Sequence, residues 1–138
     1  MNNKGFTLIE LIGVVLILII LITYATPRIA KFYKNSKKST FLNNVAVVYS
    51  KSQEKRTENK IFDRPTNYIY SEDNTCLDLT GKKLYYCVLF ENEKVTYLNV
   101  FDGKYYIEAT DNFDKLKISQ VKENEFYKLE CAAANQVK

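Results

Sequence analysis

The 138-residue chain contains no histidine, only two prolines and four glycines, and three cysteines. Without histidine, the commonest general base and the commonest nitrogen ligand for metals are both missing. The cysteines, Cys76, Cys87 and Cys131, are scattered, so no zinc set can be assembled from them. These gaps argue against an enzyme and against a bound metal or cofactor; a non-enzymatic protein is expected. The length supports a single core, since domains run to about 100 to 150 residues, and excludes a multidomain enzyme.

Charge is just as unevenly supplied. Residues 6–25 hold one charge, Glu10, among twenty positions. Residues 28–60 carry nine Lys/Arg against two Asp/Glu, a net of +7, and residues 61–138 carry ten against thirteen, a net of −3. The overall +4 is therefore a sum over an apolar segment, a basic neck and a mildly acidic body. The apolar segment, FTLIELIGVVLILIILITYA, would span roughly 30 Å as a helix at about 1.5 Å per residue, the hydrocarbon thickness of a bilayer. A secretory signal peptide would end in a small-residue cleavage site. Here Thr23-Tyr24-Ala25-Thr26-Pro27 leads into more helix-compatible sequence instead. Glu10 stands one turn into the run; a charge costs about 2.5 to 3.5 kcal/mol at a bilayer centre, and less near the end of a span. An ionisable residue at such a place is a functional candidate by default.

The segment Lys4-Gly5-Phe6-Thr7-Leu8-Ile9-Glu10 resembles the start of a type IV pilin or type II secretion pseudopilin precursor. The shared features are a short polar leader ending in Gly, then Phe, an apolar run, Glu as the fifth residue after the junction, and a proline near the end of the run. The resemblance covers residues 1–35. It implies cleavage between Gly5 and Phe6 by a prepilin peptidase, which also N-methylates Phe6. It further implies that Glu10 of one subunit neutralises the Phe6 amine of its neighbour in a filament, setting register as a buried polar group does in a coiled coil. Gly5 suits the junction because it lets an extended backbone enter a protease without steric demand. Pro27 matches the family and should remove one helical hydrogen bond and bend the helix. Gly13 comes earlier than the glycine many pilins carry inside this helix, and Ile19 occupies that later place.

From Arg28 to Glu58 there is no Gly or Pro, which predicts a helix to about residue 56. Phe41, Val45 and Val48 fall at i, i+4 and i+7, and Phe32 and Tyr33 extend the stripe, so an amphipathic helix should pack on a sheet. Arg28, Lys31, Lys34 or Asn35, and Lys38 share another face. That face suits lipid headgroups, or the acidic bodies of neighbouring subunits. DNA is a third partner such a basic, aromatic-interleaved face could serve, but the aromatics fall where the core stripe needs them. Five positives at 28–38 would hold the body in the cytoplasm under the positive-inside rule. The resemblance requires the opposite orientation, and the more specific cleavage junction decides for it.

After Asn59 the pattern changes to β-prone runs. Leu84–Phe90, Val95–Phe101, Tyr105–Thr110 and Phe126–Cys131 are predicted strands, with a tight turn at Asp102-Gly103 and a short edge strand at Tyr68–Tyr70. Tyr85, Cys87 and Leu89 share one face, and the abundant tyrosines and phenylalanines supply core packing. In an exported domain two cysteines tend to pair. Cys76–Cys87 would close the loop carrying Asp78 and Gly81, Cys87–Cys131 would tie the C-terminal strand to the sheet, and the residues alone do not choose. Family members often staple their C-terminal region, which favours Cys87–Cys131. Asp111, Asp114, Glu123 and Glu125 lack EF-hand spacing and suit a solvated acidic loop.

The expected fold is α+β: a long N-terminal helix, membrane-spanning in its first half and amphipathic in its second, packed on a small antiparallel sheet. The parts are a leader (1–5), a transmembrane and assembly helix (6–26), an amphipathic basic helix (27–59) and a β-rich globular head (60–138). By resemblance the chain is a pilin polymerising with copies of itself or other pilin-like subunits, a single-pass membrane protein first and a surface or envelope filament afterwards. An assembly ATPase, an inner-membrane platform protein and membrane lipid would be its further partners. A pseudopilin of a secretion or DNA-uptake machine is the alternative, and a signal-anchored module that never polymerises is the reading from another class.

Overall fold

The computed structural model describes residues 6–64, 66–72, 77–79 and 83–131. One helix precedes five strands: α1 (Leu8–Ile61), β1 (Tyr68–Tyr70), β2 (Tyr85–Glu91), β3 (Lys94–Phe101), β4 (Tyr105–Ala109) and β5 (Lys122–Glu123). The sheet is an antiparallel meander in the order β1-β2-β3-β4-β5, and α1 packs on it, so the architecture is the expected α+β. The chain forms two compact units, Met1–Lys37 and Lys38–Lys138.

In the first unit the large apolar side chains from Phe6 to Ile22 are all exposed. This stretch belongs to the one helix, among the described residues, that is long and apolar enough to cross a membrane. Such a surface is stable only against lipid or other apolar helices. The helix continues through Pro27, whose nitrogen has no hydrogen to give the Thr23 carbonyl. The hydroxyls of Thr23 and Thr26 donate to the carbonyls of Ile19 and Ile22, at 2.8 and 2.7 Å, so neither needs water. Phe32 and Tyr33, expected in the core stripe, are 76% and 62% exposed. Their place beyond an apolar run suits a membrane interface, where amphipathic aromatics gather.

In the second unit the buried stripe of α1 is Phe41, Val45, Val48 and Ser52, at helical spacings of four, three and four. It meets Ile69 of β1, Tyr86, Val88 and Phe90 of β2, Leu98 and Val100 of β3, and Tyr105 and Ile107 of β4. Each such aliphatic or aromatic side chain contributes roughly 1.5 to 3 kcal/mol of transfer free energy. Ser52, fully buried, donates its hydroxyl to the Tyr49 carbonyl at 2.7 Å. Lys38 departs from the solvated face assigned to it: half-buried, its ammonium donates to the Val121 carbonyl at 2.7 Å.

The helix runs five residues past the expected end near 56 because its stop signal lies later. Arg64 N–H donates to the Asn59 carbonyl at 2.8 Å and Asp63 N–H to that of Lys60 at 3.2 Å. With Asp63 left-handed at φ 57°, this is a Schellman cap. The Arg56 guanidinium, stacked 4.8 Å from the Phe90 ring centroid, donates to the Thr66 carbonyl and ties that end to the sheet.

The β2–β3 turn has both central residues, Asn92 and Glu93, at positive φ, which matches the right-handed twist of a hairpin. At the β3–β4 turn Gly103 takes φ 99°, and the Asp102 carboxylate accepts the N–H groups of Lys104 and Tyr105 at 2.9 and 2.7 Å. The expected turn at Asp102-Gly103 is therefore found.

The predicted strand at Phe126–Cys131 does not form; the fifth strand is Lys122–Glu123, paired with Tyr105 and Tyr106. Cys131 is disulfide-bonded to Cys87. Cys87 lies on β2 between β1 and β3, so a segment ending there must cross the face of the sheet and cannot extend its edge. Tyr127 shows the same placement: its ring stacks 3.9 Å from that of Tyr106 and meets Phe101 edge-on at 5.5 Å. Its hydroxyl donates to Glu108 Oε1 and accepts from Asn99 Nδ2, both at 2.6 Å. Cys76 lies outside the described residues.

Candidate processing and assembly site

Leu8 is the first residue of α1, which makes Thr7 the N-cap and Glu10 the third helical position. The first turn of a helix leaves backbone N–H groups without partners, and Thr-x-x-Glu is a sequence pattern that satisfies them reciprocally. That arrangement forms here. Glu10 Oε2 accepts the Thr7 backbone N–H at 2.9 Å and the Thr7 hydroxyl at 2.8 Å, while Glu10 N–H points to Thr7 Oγ1 at 3.4 Å. The Thr7 carbonyl takes the first helical bond, from Leu11 N–H at 3.2 Å. Phe6 and Leu11 occupy the two positions of a hydrophobic staple around this cap.

The consequence is positional. The only carboxylate of the apolar segment is held at the amino end of the helix, hydrogen-bonded to the residue that follows Phe6. Negative charge is favoured at that end by the helix dipole. Glu10 and Phe6 are both exposed, Phe6 at 81%, so a second chain can reach them. Gly5 lies outside the described residues. Pro27 sits inside α1. A Cβ added at Gly13 would meet nothing within 4 Å, which leaves that side of the helix open to a close neighbour. The sequence signal for this cap is the three-residue offset of Glu10 from Thr7; the charge of Glu10 alone does not carry it.

The other candidates separate. Glu123 and Glu125 flank Lys104 Nζ at 3.3 and 3.7 Å, whereas Asp114 lies near Tyr49 and helps to raise its phenol, after burial. Among the described residues no group of three or more acidic, Cys or His side chains is placed to hold a metal ion. On the neck, Lys37 Nζ sits 5.2 Å from the centroid of the Tyr33 ring.

Residues 1–26 match the family described as the prokaryotic N-terminal methylation motif. This is the precursor signature of type IV pilins and pseudopilins, and over that segment it supports a pilin-like or pseudopilin precursor. The motif implies processing by prepilin peptidase and assembly into pilin-like polymers, and with the exposed apolar helix it accords with membrane anchoring. No curated protein and no solved structure matches the chain.

Proposed function

We propose that the protein is the structural subunit of a type IV pilus-like filament. It is inserted by α1 with its β-rich head outside the cytoplasm, cut after Gly5 and N-methylated at Phe6. It then polymerises by helix packing, with the Phe6 amine of one subunit against Glu10 of the next. The observation that carries this reading is the capping box. It fixes the carboxylate beside the future chain terminus, at the tip of a helix whose apolar side chains from Phe6 to Ile22 are exposed among the described residues.

The energetics favour a specific pair over general hydrophobicity. Before assembly the apolar helix lies in lipid, and afterwards it lies in a bundle that is equally apolar. The transfer term therefore nearly cancels, leaving packing and the polar pair to supply the difference. Two groups that are each costly in lipid become one neutral pair in the bundle. Replacing Glu10 with Ala should leave membrane insertion intact and abolish filaments in immunoelectron microscopy. Filaments of normal abundance from Glu10→Ala cells would exclude the pairing. In wild-type cells, fibres extending beyond the surface support a pilus, and short filaments confined to the envelope would assign the chain to the pseudopilins.

A further inference from the structure

On the face of the sheet opposite the Phe41–Val48 stripe, the strands present Tyr68, Tyr70, Tyr85, Tyr97, Phe101 and Tyr106. The segment Tyr127–Cys131 crosses this face but does not fill it. Beside the segment lies a cleft of about 480 Å³, within the range of about 300 to 1,000 Å³ typical of ligand sites. Its aromatic lining is Tyr70, Tyr85, Phe101 and Tyr127, and its acids are Glu72 and Glu130, both exposed. Lys128 is the only cation among the described lining residues. The Tyr70 hydroxyl donates to Glu72 Oε2 at 2.9 Å. Burial, that bond and the charges of Glu72 and Glu130 raise its phenol, in that order of effect. Both carboxylates thus act on the same spot.

We propose that this cleft binds the arginine or lysine side chains of a basic peptide segment on another protein. Aromatic ring faces attract a cation, and carboxylates receive a guanidinium through paired, charge-assisted hydrogen bonds. An anionic ligand would meet the two like charges of Glu72 and Glu130 against the single cation of Lys128. Because the cleft lies on the face of the sheet opposite the Phe41–Ser52 stripe, a filament that turns this stripe inward would present the cleft to solution. That exposure rests on the filament reading; the binding itself does not.

The test uses the full, unassembled chain in detergent micelles, so its outcome is independent of whether filaments form. Isothermal titration with hexa-arginine should give saturable binding at one site, whereas an uncharged Gly/Ser hexapeptide and a neutral oligosaccharide should give none. The double substitution Glu72→Gln/Glu130→Gln should weaken hexa-arginine binding at least tenfold with the near-ultraviolet circular dichroism unchanged. Glu91→Gln/Asp111→Asn, which removes the same charge elsewhere, should weaken it less than threefold. Four results would overturn the proposal: no saturable binding, equal loss in both double variants, preference for the oligosaccharide, or self-association of the chain that the cleft variant dissolves. The last would place a second copy in the cleft.

Discussion

Loss of the Cys87–Cys131 bond should cost the head much of its stability. The two cysteines are 44 residues apart in sequence. In the chain-entropy account, cross-linking a loop of that length removes about 13 cal/mol/K from the unfolded ensemble, or about 4 kcal/mol at 25 °C. A domain of this size is stable by about 5 to 15 kcal/mol, so the bond represents a substantial fraction. Cys131→Ala is the cleaner variant because Cys131 is buried, and a serine hydroxyl there would need a partner. Cys87, left behind as a thiol at a fully buried site, behaves as a small apolar group and adds little further cost. Urea unfolding of the full chain in detergent, followed by tyrosine near-ultraviolet circular dichroism, reads the effect. With a slope of about 1 to 3 kcal/mol/M, the midpoint should fall by roughly 1.3 to 4 M. Wild-type protein in dithiothreitol should behave like Cys131→Ala, and the variant should ignore the reductant. A midpoint that moves by less than about 0.3 M on reduction would refute the claim that this bond holds the C-terminal segment on the sheet.

Two further outcomes follow from the head. Phe41→Ala, at the centre of the helix–sheet core 6.1 Å from the Tyr105 ring centroid, should cost about 3 to 5 kcal/mol, with no dependence on reductant in the same urea experiment. The Tyr127 phenol is raised above its ordinary value of 10.0, first by burial and then by its bond to Glu108, partly offset by the Asn99 amide. A raised folded-state value means that its stabilisation is complete below about pH 10 and is lost as pH rises beyond it. Absorbance at 295 nm should therefore show Tyr127 resisting ionisation until the head unfolds in alkali; Tyr127→Phe should delete that late step and no earlier one.

What the sequence revealed about the fold depended on how local the determinant was. Phe41, Val45 and Val48 repeat at helical spacing, and the hairpin at Asp102-Gly103 carries its own turn chemistry, so the helix face and the central strands could be placed within a residue or so. Phe126–Cys131 has strand-like composition but lies across the sheet, because the Cys87 partner sits on a central strand, a fact of register that composition does not carry. The group formed by Tyr97, Asn99, Glu108 and Tyr127 was hidden for the same reason: it exists only once β3, β4 and the C-terminal segment are aligned. Phe32 and Tyr33 were misplaced because helical periodicity cannot tell a stripe facing a sheet from one facing a membrane interface. The amino-terminal motif was the most legible part, since Gly5, Phe6 and Glu10 stand at fixed offsets along one chain; the capping role of Thr7 emerged only from the helix start at Leu8.

The central claim, processing at Gly5 followed by polymerisation, is tested most directly by intact and terminal mass spectrometry of the subunit recovered from sheared surface filaments. The account predicts a chain that begins at Phe6, carries one N-terminal methyl group and has lost residues 1–5. A chain that retains Met1, or one that begins anywhere other than Phe6, would contradict it.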